Sequence, residues 1–558
     1  MDYYTLNKQF NYIGDKLLHS QVLKAYYNGR GFSLGLRRAG ERFWLNFALN
    51  PELAVFFLGK EPLNRESLYF AVLFNNLLKN ARLKGLNHIE GERLFVFEFE
   101  KRDFSGKPRG IKLVFEVIGK KVNLILVEGE RIIDAARREE GAFEERAVLP
   151  GRTFFFPDSP RKEYLWSAER DRVIEAVAKE GVFALMRHFY PVPKFVVEEI
   201  SARLGKEELS SPQELIDFWR VFLEVKEELF SSELYLYRKP FKVFPLRRSC
   251  LEGGEVMESN EAVRLYVELF EREKALSSLK SELLRTVRRE QKKLKKVLGE
   301  LLSQLEKAKG REKYKLWAEA ILINLARIKD YSEHIEVPNP YNEDEVLKIP
   351  LKKGKKPSRV AEEYFERYAK LKRAEEFLLR RKQEVERELS FLQELEWQIE
   401  SSTSLSELEE VREILEECGY IKSKTSSKKP KKRTPSYRAF RLKDVEIYVG
   451  KSARGNDYVT FKLASRDDLW FHVKGYPGAH VVVKAKRPLS HEELEKAAAV
   501  AAFFSKAGSS SSVEVDYTRV KFVKRAKNYK PGMVVYKNFS TLRVKPHIPE
   551  EVEHVEKG

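Results

Sequence analysis

The stretch RDDLWFHVKGYPGAH, at positions 466–480, decides how this chain is interpreted. It places basic and aromatic side chains beside a Pro477-Gly478 turn, and a β-forming valine run at 481–483 follows it. Basic groups pair with phosphates and aromatic rings stack on unpaired bases, so this mixture suits RNA better than a hydrophobic partner or a small substrate. Strand-like runs at 447–449 and 533–536 flank an alanine-rich helix at 492–504, so residues 436–546 are predicted to form a small basic α/β domain.

The net charge of the chain is concentrated around that domain. Of 558 residues, 104 are Lys or Arg and 85 are Asp or Glu, which gives a net charge of +19. Residues 421–435 contain seven basic and no acidic side chains, and residues 436–546 contain 22 basic and ten acidic ones. These two segments carry the whole excess, which predicts a polyanion-binding surface at this end of the chain. The Ser-, Lys- and Pro-rich residues 421–435 are predicted to be a flexible basic linker.

The remaining residues are predicted to form three further domains, so the fold class is multidomain α+β. Residues 1–165 combine strand-like runs with a helical stretch at 68–83. Residues 166–250 are predicted to be helical, with two short helices around a Pro-containing turn that form either a helix-hairpin-helix or two simply packed helices. Leucine stripes over 258–418 predict two long antiparallel coiled-coil arms with a small tip element at about 334–357.

Several classes of protein and site are disfavoured. Cys250 and Cys418 lie far apart and form neither a metal-binding spacing nor a disulfide framework, which suits a reducing cytoplasm. The sequence shows no signal peptide, no apolar run long enough for a membrane span and no Gly-rich nucleotide-binding motif. His472 and His480 lack a partner set of Cys or acidic residues. We therefore expect a cytoplasmic protein without a metal, a cofactor or a membrane partner.

The ordered motifs of the C-terminal domain resemble those of the NFACT protein family. The family's signature is matched by two neighbouring runs, Asp468-Leu469-Trp470-Phe471-His472 and, after a short gap, Pro477-Gly478-Ala479-His480-Val481. Residues 116–126 and 361–374 are similar to the family's N-terminal domain and to its second coiled-coil arm. The matching C-terminal blocks lie at 447–460, 468–481, 501–506, 515–518 and 530–536.

This resemblance implies a factor of ribosome-associated quality control. Such factors bind a large ribosomal subunit that still holds peptidyl-tRNA, and they bring charged tRNA, which is alanyl-tRNA in bacteria. The ribosome then extends the nascent polypeptide without mRNA, and the tail marks the product for degradation. The implied partners are large-subunit rRNA, aminoacyl-tRNA, peptidyl-tRNA and the nascent chain. The factor is implied to act as a monomer and to be no enzyme, because the ribosome makes the peptide bond.

The resemblance also assigns tRNA-binding residues in the N-terminal domain. An early Asp of the family corresponds to Asp2, and its Asp-Arg pair corresponds to Glu92-Arg93, where Glu keeps the charge and extends the reach by one methylene. Arg93 can make bidentate contacts to phosphate or to a base edge, and a plain surface ion pair is the alternative. The family's N-terminal domain is similar to that of formamidopyrimidine-type DNA glycosylases. Met1-Asp2-Tyr3 lacks the N-terminal Pro and Glu that glycosylase chemistry needs.

The C-terminal domain supplies the other candidate RNA-binding residues. Trp470 and Phe471 are predicted to stack on unpaired bases, and a role in the domain core is the alternative left open. Zinc binding by His472 and His480 is disfavoured, and phosphate contacts are predicted for them instead. The full set of predicted phosphate contacts is Lys451, Arg466, His472, Lys474, His480, Lys521, Lys524, Arg525, Lys527 and Lys530.

Three other functions stay open. A large-subunit sensor that recruits partners without tailing is favoured by the Glu at position 92. A surface adhesin is suggested by the fibronectin-binding name used for some family members, but the localised basic charge and the missing signal peptide argue against it. A DNA-lesion enzyme is disfavoured by the absent N-terminal Pro and Glu.

Overall fold

A computed structural model describes residues 1–102, 105–119, 121–140, 147–156, 162–328, 333–422, 436–526 and 530–555. These residues form two compact units, Met1–Arg272 and Glu273–Gly558. Both units combine helices with antiparallel sheets, which confirms the prediction of a multidomain α+β chain. Most of the predicted basic linker, from position 423 to 435, lies outside the described residues.

The first unit begins with a large antiparallel sheet. Its elements are α1 Tyr3–Leu17, β1 Gln21–Tyr27, β2 Gly31–Arg38, β3 Glu41–Ala48, β4 Val55–Gly59, α2 Tyr69–Leu78, β5 Arg82–His88, β6 Leu94–Arg102, β7 Pro108–Ile118, β8 Lys121–Glu128 and β9 Arg131–Ala135. The strand order is β4-β3-β2-β1-β5-β6-β7-β8-β9. Phenylalanines of the central strands pack with α1 and α2 into one core, where burial of large aromatic rings supplies most of the stabilisation. The helix predicted at 68–83 ends at Leu78, because Asn80 has a φ of 68° and β5 begins two residues later.

Short helices and a three-stranded sheet complete the first unit. They are β10 Glu163–Tyr164, α3 Arg170–Glu180, α4 Ala184–His188, β11 Phe189–Tyr190, α5 Lys194–Leu204, α6 Pro212–Phe230, β12 Glu233–Arg238, β13 Phe241–Phe244 and β14 Glu255–Glu258. Helices α4 and α5 flank the predicted Pro-containing turn, and their assignment as a helix-hairpin-helix stays a prediction. The buried Lys8 ammonium donates to the carbonyl oxygens of Glu228, Glu233 and Pro245. This contact fixes α1 against the end of α6 and the start of β12.

Long helices open the second part of the chain. They and the tip hairpin are α7 Ser259–Lys309, α8 Glu312–Ile323, β15 His334–Asn339, β16 Asn342–Pro350, α9 Pro357–Ser401 and α10 Leu405–Glu417. Helices α7 and α9 pack antiparallel within one chain, since Val287 contacts the end of α9 near Leu395 whereas Leu301 packs with Leu378 and Val385. Arg288 forms ion pairs across this seam with Glu396 and Glu400, each at 2.7 Å. Within the described ranges, no helix is both long and apolar enough to span a bilayer.

The C-terminal domain is a seven-stranded antiparallel sheet with both faces covered. Its elements are β17 Tyr437–Leu442, β18 Val445–Gly450, α11 Ala453–Tyr458, the π-helix Val459–Leu463, β19 Leu469–Val473, β20 Val481–Lys484, α12 His491–Phe503, β21 Val513–Arg519, β22 Val523–Arg525, β23 Val534–Tyr536, β24 Ser540–Val544 and β25 Glu553–Val555. The order is β24-β21-β19-β20-β18-β17-β25, and β22 pairs with β23 as a separate hairpin. The alanine-rich α12 packs on one face, and α11, the π-helix and the β22–β23 hairpin cover the other.

Candidate nucleic-acid interface

The central strand β19 buries both aromatic residues of the predicted stacking pair. Successive side chains of a strand point to opposite faces, so Phe471 packs toward α12 whereas Trp470 packs under the hairpin. Both side chains are 0% exposed. The base-stacking prediction for Trp470 and Phe471 is therefore wrong, because no base reaches either ring. The alternative interpretation, that they form the core of the domain, is the correct one.

His480 is buried in the same interior, and His472 is half-buried beside Trp470. His472 stacks on Trp470 with the ring centroids 5.7 Å apart, and His480 meets the same indole edge-on at 5.1 Å. The His480 ring nitrogen Nδ1 lies 2.9 Å from the Thr460 hydroxyl, and its backbone N–H donates to Asn456 Oδ1. Burial lowers the pKa of His472 to about 4 and the pKa of His480 well below its usual value. Both rings are neutral at pH 7. The predicted phosphate contact of His480 is wrong because its side chain is buried, whereas that of the half-buried His472 stays a prediction.

One polar group, on the strand β21 that pairs with β19, anchors this interior. The buried Asp516 carboxylate accepts hydrogen bonds from the hydroxyls of Tyr536 at 2.8 Å and of Thr541 at 2.7 Å. The Tyr536 ring packs on Trp470 with the centroids 4.9 Å apart. Residues 534–536 are thereby held against the sheet, so β23 and its partner β22 have a fixed platform.

The predicted basic side chains differ in their exposure and in their contacts. Arg466, Lys524 and Arg525 are exposed, and Arg525 lies over the Phe461 ring at 4.3 Å. Lys474 and Lys521 are also exposed, but they form ion pairs with Glu514 at 3.0 Å and with Asp467 at 2.8 Å. Lys451 is half-buried, and Lys527 lies outside the described residues.

Lys530 departs most from its predicted role. Its ammonium donates to the Tyr420 hydroxyl at 2.8 Å and pairs with Glu388 of α9 at 3.3 Å. It also lies 4.8 Å from the centre of the Phe391 ring. These contacts hold Lys530 against the helical part of the second unit, so it links the C-terminal domain to α9. The predicted phosphate contact of Lys530 is corrected accordingly.

The predicted tRNA-binding residues of the first unit come together at the start of α1. Asp2 is the N-cap of that helix, and its carboxylate accepts from the Thr5 backbone N–H at 3.0 Å and from the Thr5 hydroxyl at 2.7 Å. The Arg93 guanidinium donates to the carbonyl oxygens of Met1 at 3.2 Å and of Gly119 at 3.3 Å. Burial lowers the pKa of Arg93, and the charges of Asp2 and Glu92 oppose that shift. Arg93 thus lies beside Asp2, about ninety residues away in sequence, and Glu92 is half-buried next to it.

Residues that the sequence did not single out attach the C-terminal domain to the helices. Glu394 of α9 accepts from the Gly478 backbone N–H at 3.0 Å, in the motif's Pro-Gly turn. Gln398, one turn later, accepts from the Ala453 N–H at 3.1 Å. A Cβ at Gly478 would lie only 2.9 Å from the Ser505 side chain, so this glycine is required by close packing. The Pro-Gly turn was visible in sequence, but its partners on α9 were not.

The Glu394 carboxyl group should make the stability of the folded chain depend on pH. Burial raises the pKa of Glu394 from its ordinary value of 4.5 to about 7. Between these two pH values the folded chain therefore holds a proton that the unfolded chain has lost. The stability contributed by that proton is complete below the pKa of Glu394 in the unfolded chain, and it is lost as the pH rises through 7. Glu394→Gln keeps an acceptor for Gly478 without the charge, so the Tm of the variant should exceed that of the unmodified chain at pH 8, with a difference that shrinks toward pH 5.

Glu396→Gln is the matched control for this experiment. Glu396 lies on the same helix as Glu394, but it forms an ion pair at 2.7 Å with Arg288, whose side chain is exposed. This substitution removes a favourable charge contact, so we expect a Tm equal to or below that of the unmodified chain at pH 8. An equal Tm for Glu394→Gln and the unmodified chain across the whole pH range would contradict the assignment of a raised Glu394 pKa.

Comparison with models of known protein families assigns both parts of the chain to the same family. Two family models match: NFACT N-terminal and middle domains over residues 2–434, and NFACT protein RNA binding domain over residues 436–538. The Rqc2 homolog RqcH of Bacillus subtilis (strain 168) is 29% identical over 496 residues, which cover 86% of this chain and 85% of the relative. The Rqc2 homolog RqcH of Streptococcus suis (strain 05ZYH33) is 27% identical over 489 residues, with 86% and 85% covered. Among solved structures, the C-terminal part of the Streptococcus suis fibronectin/fibrinogen-binding protein has 29% identity and a TM-score of 0.38, and the match covers 49% of this chain and 95% of that one.

Proposed function

Because this chain belongs to the NFACT protein family, we propose that it is a ribosome-associated quality-control factor that binds obstructed large ribosomal subunits. In this proposal the bound subunit still carries peptidyl-tRNA. The factor recruits charged tRNA, alanyl-tRNA in the first instance, for template-free C-terminal tailing of the nascent polypeptide. The ribosome makes the peptide bonds, so the factor needs no catalytic residue and acts in the cytoplasm as a monomer. Both RqcH relatives align with most of this chain, which supports the assignment.

The observation that carries the proposal is the basic surface of the C-terminal domain. From position 517 to 549 the chain has nine Lys and Arg residues and no Asp or Glu. Lys524 and Arg525 are exposed on β22, and the RNA-binding family model covers this strand. A surface with this charge attracts a polyphosphate backbone by release of its counterions. It therefore supports a grip on rRNA or tRNA rather than on a small molecule.

The cluster of Asp2, Glu92 and Arg93 is proposed as the tRNA-selecting site. Two backbone carbonyl oxygens accept hydrogen bonds from the Arg93 guanidinium and fix its position before tRNA binds. Neither of these two acceptors is a charged group. A fork of this kind can still donate its remaining N–H groups to a phosphate or to a base edge. The long α7 and α9 helices are proposed to act as a spacer across the subunit.

A sensor that recruits other factors without tailing is the second candidate. One observation favours it: both Asp2 carboxylate oxygens are occupied by Thr5, so this group serves the fold of α1. A group committed to capping has less capacity for contacting tRNA. The two candidates differ in whether the chain selects one tRNA.

The direct test is to isolate the chain from its native cells and to sequence the RNA that co-purifies. Large-subunit rRNA with one strongly enriched tRNA is the expected result, and the tRNA identity would name the added amino acid. Large-subunit rRNA without a preferred tRNA would support the sensor. Absence of ribosomal RNA would refute the quality-control proposal altogether.

Arg93→Ala separates tRNA selection from subunit binding in the same experiment. We expect the variant to lose the enriched tRNA and to keep the rRNA, because the C-terminal basic surface is unchanged. Arg109→Ala is the matched control, since Arg109 pairs with Glu128 on the same sheet and is not part of the proposed site. Retention of the tRNA by Arg93→Ala, with thermal unfolding unchanged, would remove Arg93 from the site.

A further inference from the structure

Phe539 is an aromatic side chain that the fold leaves at the surface of the C-terminal domain. It follows β23 and precedes β24, and it is 48% exposed. Val535, on the outer side of β23, is 50% exposed. These residues lie outside the motif at 466–480, which is why the sequence pointed to Trp470 and Phe471 instead.

The Phe539 ring packs against the ring of Tyr536. Its edge-to-face contact with Tyr536 has a centroid distance of 5.3 Å and an interplanar angle of 78°. Tyr536 is in turn held by its hydrogen bond to Asp516 and by its packing on Trp470. The ring therefore sits at the outer end of an aromatic row that begins in the domain core.

The backbone before Phe539 is equally constrained. The hydroxyl of the buried Thr518 donates to the carbonyl oxygens of Lys537 at 3.0 Å and of Asn538 at 2.9 Å. Asn538 has a φ of 51°, a left-handed conformation that Asn tolerates better than most residues and that sets the direction of the next residue. An exposed ring on a fixed backbone loses little entropy when another ring stacks on it.

Two lysines neighbour Val535 and Phe539, one across the hairpin and one along the chain. Lys524 lies opposite Val535 in the hairpin, and Lys537 is two residues before Phe539. Both are exposed, and no ion pair found in the described ranges involves either of them. The whole segment 517–549 lacks acidic residues. This stretch of the chain is therefore basic, and its charge is complementary to that of phosphates.

We propose that Phe539 is a stacking platform for an unpaired base of RNA, with Lys524 and Lys537 placed for the adjoining phosphates. An aromatic ring beside backbone-tracking cations is the usual arrangement of single-strand recognition. A protein partner fits less well, because two exposed apolar side chains are far from the roughly 800 Å² per partner of a stable protein interface. The inference rests on the proposed function, which supplies the RNA, and it names the part of that RNA that this surface takes.

The test measures binding of a fluorescent single-stranded oligouridylate to the full chain. Phe539→Ala is expected to weaken binding by about 5- to 160-fold, the range for loss of one base–aromatic stack. Phe539→Trp should keep the affinity, and its added fluorescence should be quenched by the bound base. Phe503→Ala is the matched control, because Phe503 is also exposed, at 42%, but lies on α12 at the other face of the sheet.

An oligonucleotide of the same length without bases isolates the stack from the charges. The unmodified chain and Phe539→Ala should bind it equally, since only the ring differs. Equal affinity of both proteins for oligouridylate would overturn the proposal, as would an equal loss on the base-free strand. Loss of a co-purifying protein with unchanged oligouridylate affinity would assign the surface to a protein partner and also overturn it.

The outcome for Phe539 can be told apart from the outcome for the proposed function. If the chain binds oligouridylate through Phe539 but recovers no ribosomal RNA from cells, the quality-control proposal fails and the stacking site stands. If ribosomal RNA is recovered and Phe539→Ala binds normally, the stacking site fails alone. If the folded, unmodified chain does not bind oligouridylate, the stacking site is refuted whatever the ribosomal result.

Discussion

Trp470→Ala is expected to unfold the C-terminal domain instead of merely weakening RNA binding. The indole is fully buried and contacts His472, His480 and Tyr536, all within 6 Å between ring centroids. Truncating a buried Trp to Ala typically costs about 3–5 kcal/mol, because the lost contacts are not refilled. That cost is a large part of the stability of a small domain. We expect the thermal transition of this domain to fall by many degrees or to disappear.

Two further variants make the result decisive. Trp470→Phe keeps an aromatic ring in the core and should lose much less stability, while Phe539→Ala removes an exposed ring and should leave the transition almost unchanged. Thermal and urea unfolding, followed by near-ultraviolet circular dichroism, would measure all three. If Trp470→Ala melted normally but lost affinity for RNA, the ring would have to contact RNA and the core assignment would fall.

The error about Trp470 and Phe471 has a clear physical origin. A strand covered on one face shows alternating polar and apolar residues, whereas a strand covered on both faces is apolar throughout. β19 is of the second kind, yet its residues include Trp and His, which often lie at interfaces. Residue type therefore suggested a binding surface, and only the covering elements, α12 on one side and the β22–β23 hairpin on the other, reveal the burial.

The basic residues show what a count of charges can and cannot predict. Counting charges located the excess at residues 421–546, and exposed Lys524 and Arg525 lie within that range. Counting cannot tell that Lys530 is held by Glu388 and Tyr420, which are more than a hundred residues away in sequence. The cluster of Asp2, Glu92 and Arg93 shows the converse. The family resemblance indicated all three residues, and the structure supplied the contact between Arg93 and the Met1 carbonyl that brings Arg93 beside Asp2.

Charge reversal at Lys524 and Arg525 together is expected to cause a large loss of RNA affinity. Both side chains are exposed on the hairpin, in the acid-free segment 517–549. Lys524→Glu with Arg525→Glu replaces two cations by anions beside the proposed phosphate path. We expect the affinity for a single-stranded oligoribonucleotide to fall by roughly 10- to 100-fold at physiological salt, since two favourable phosphate contacts become repulsive.

The dependence of affinity on salt identifies the cause. Each phosphate contact to single-stranded nucleic acid contributes about 0.7 to the slope of log K against log salt, so the double variant should lower that slope by about 1.4 or more. Phe539→Ala should reduce the affinity without changing the slope, because it removes no charge. Anisotropy titrations at several KCl concentrations would measure both quantities for each variant.

A matched reversal on α7 separates a local contact from the net charge of the whole chain. Lys295 and Lys296 are adjacent and exposed on that helix, so Lys295→Glu with Lys296→Glu changes the net charge by the same amount. This control should bind the oligoribonucleotide with nearly the affinity of the unmodified chain. Equal losses in the two double variants would show that net charge alone drives binding. An unchanged affinity in Lys524→Glu with Arg525→Glu would exclude the hairpin from the RNA interface, because the two exposed cations of β22 would then contribute nothing to it.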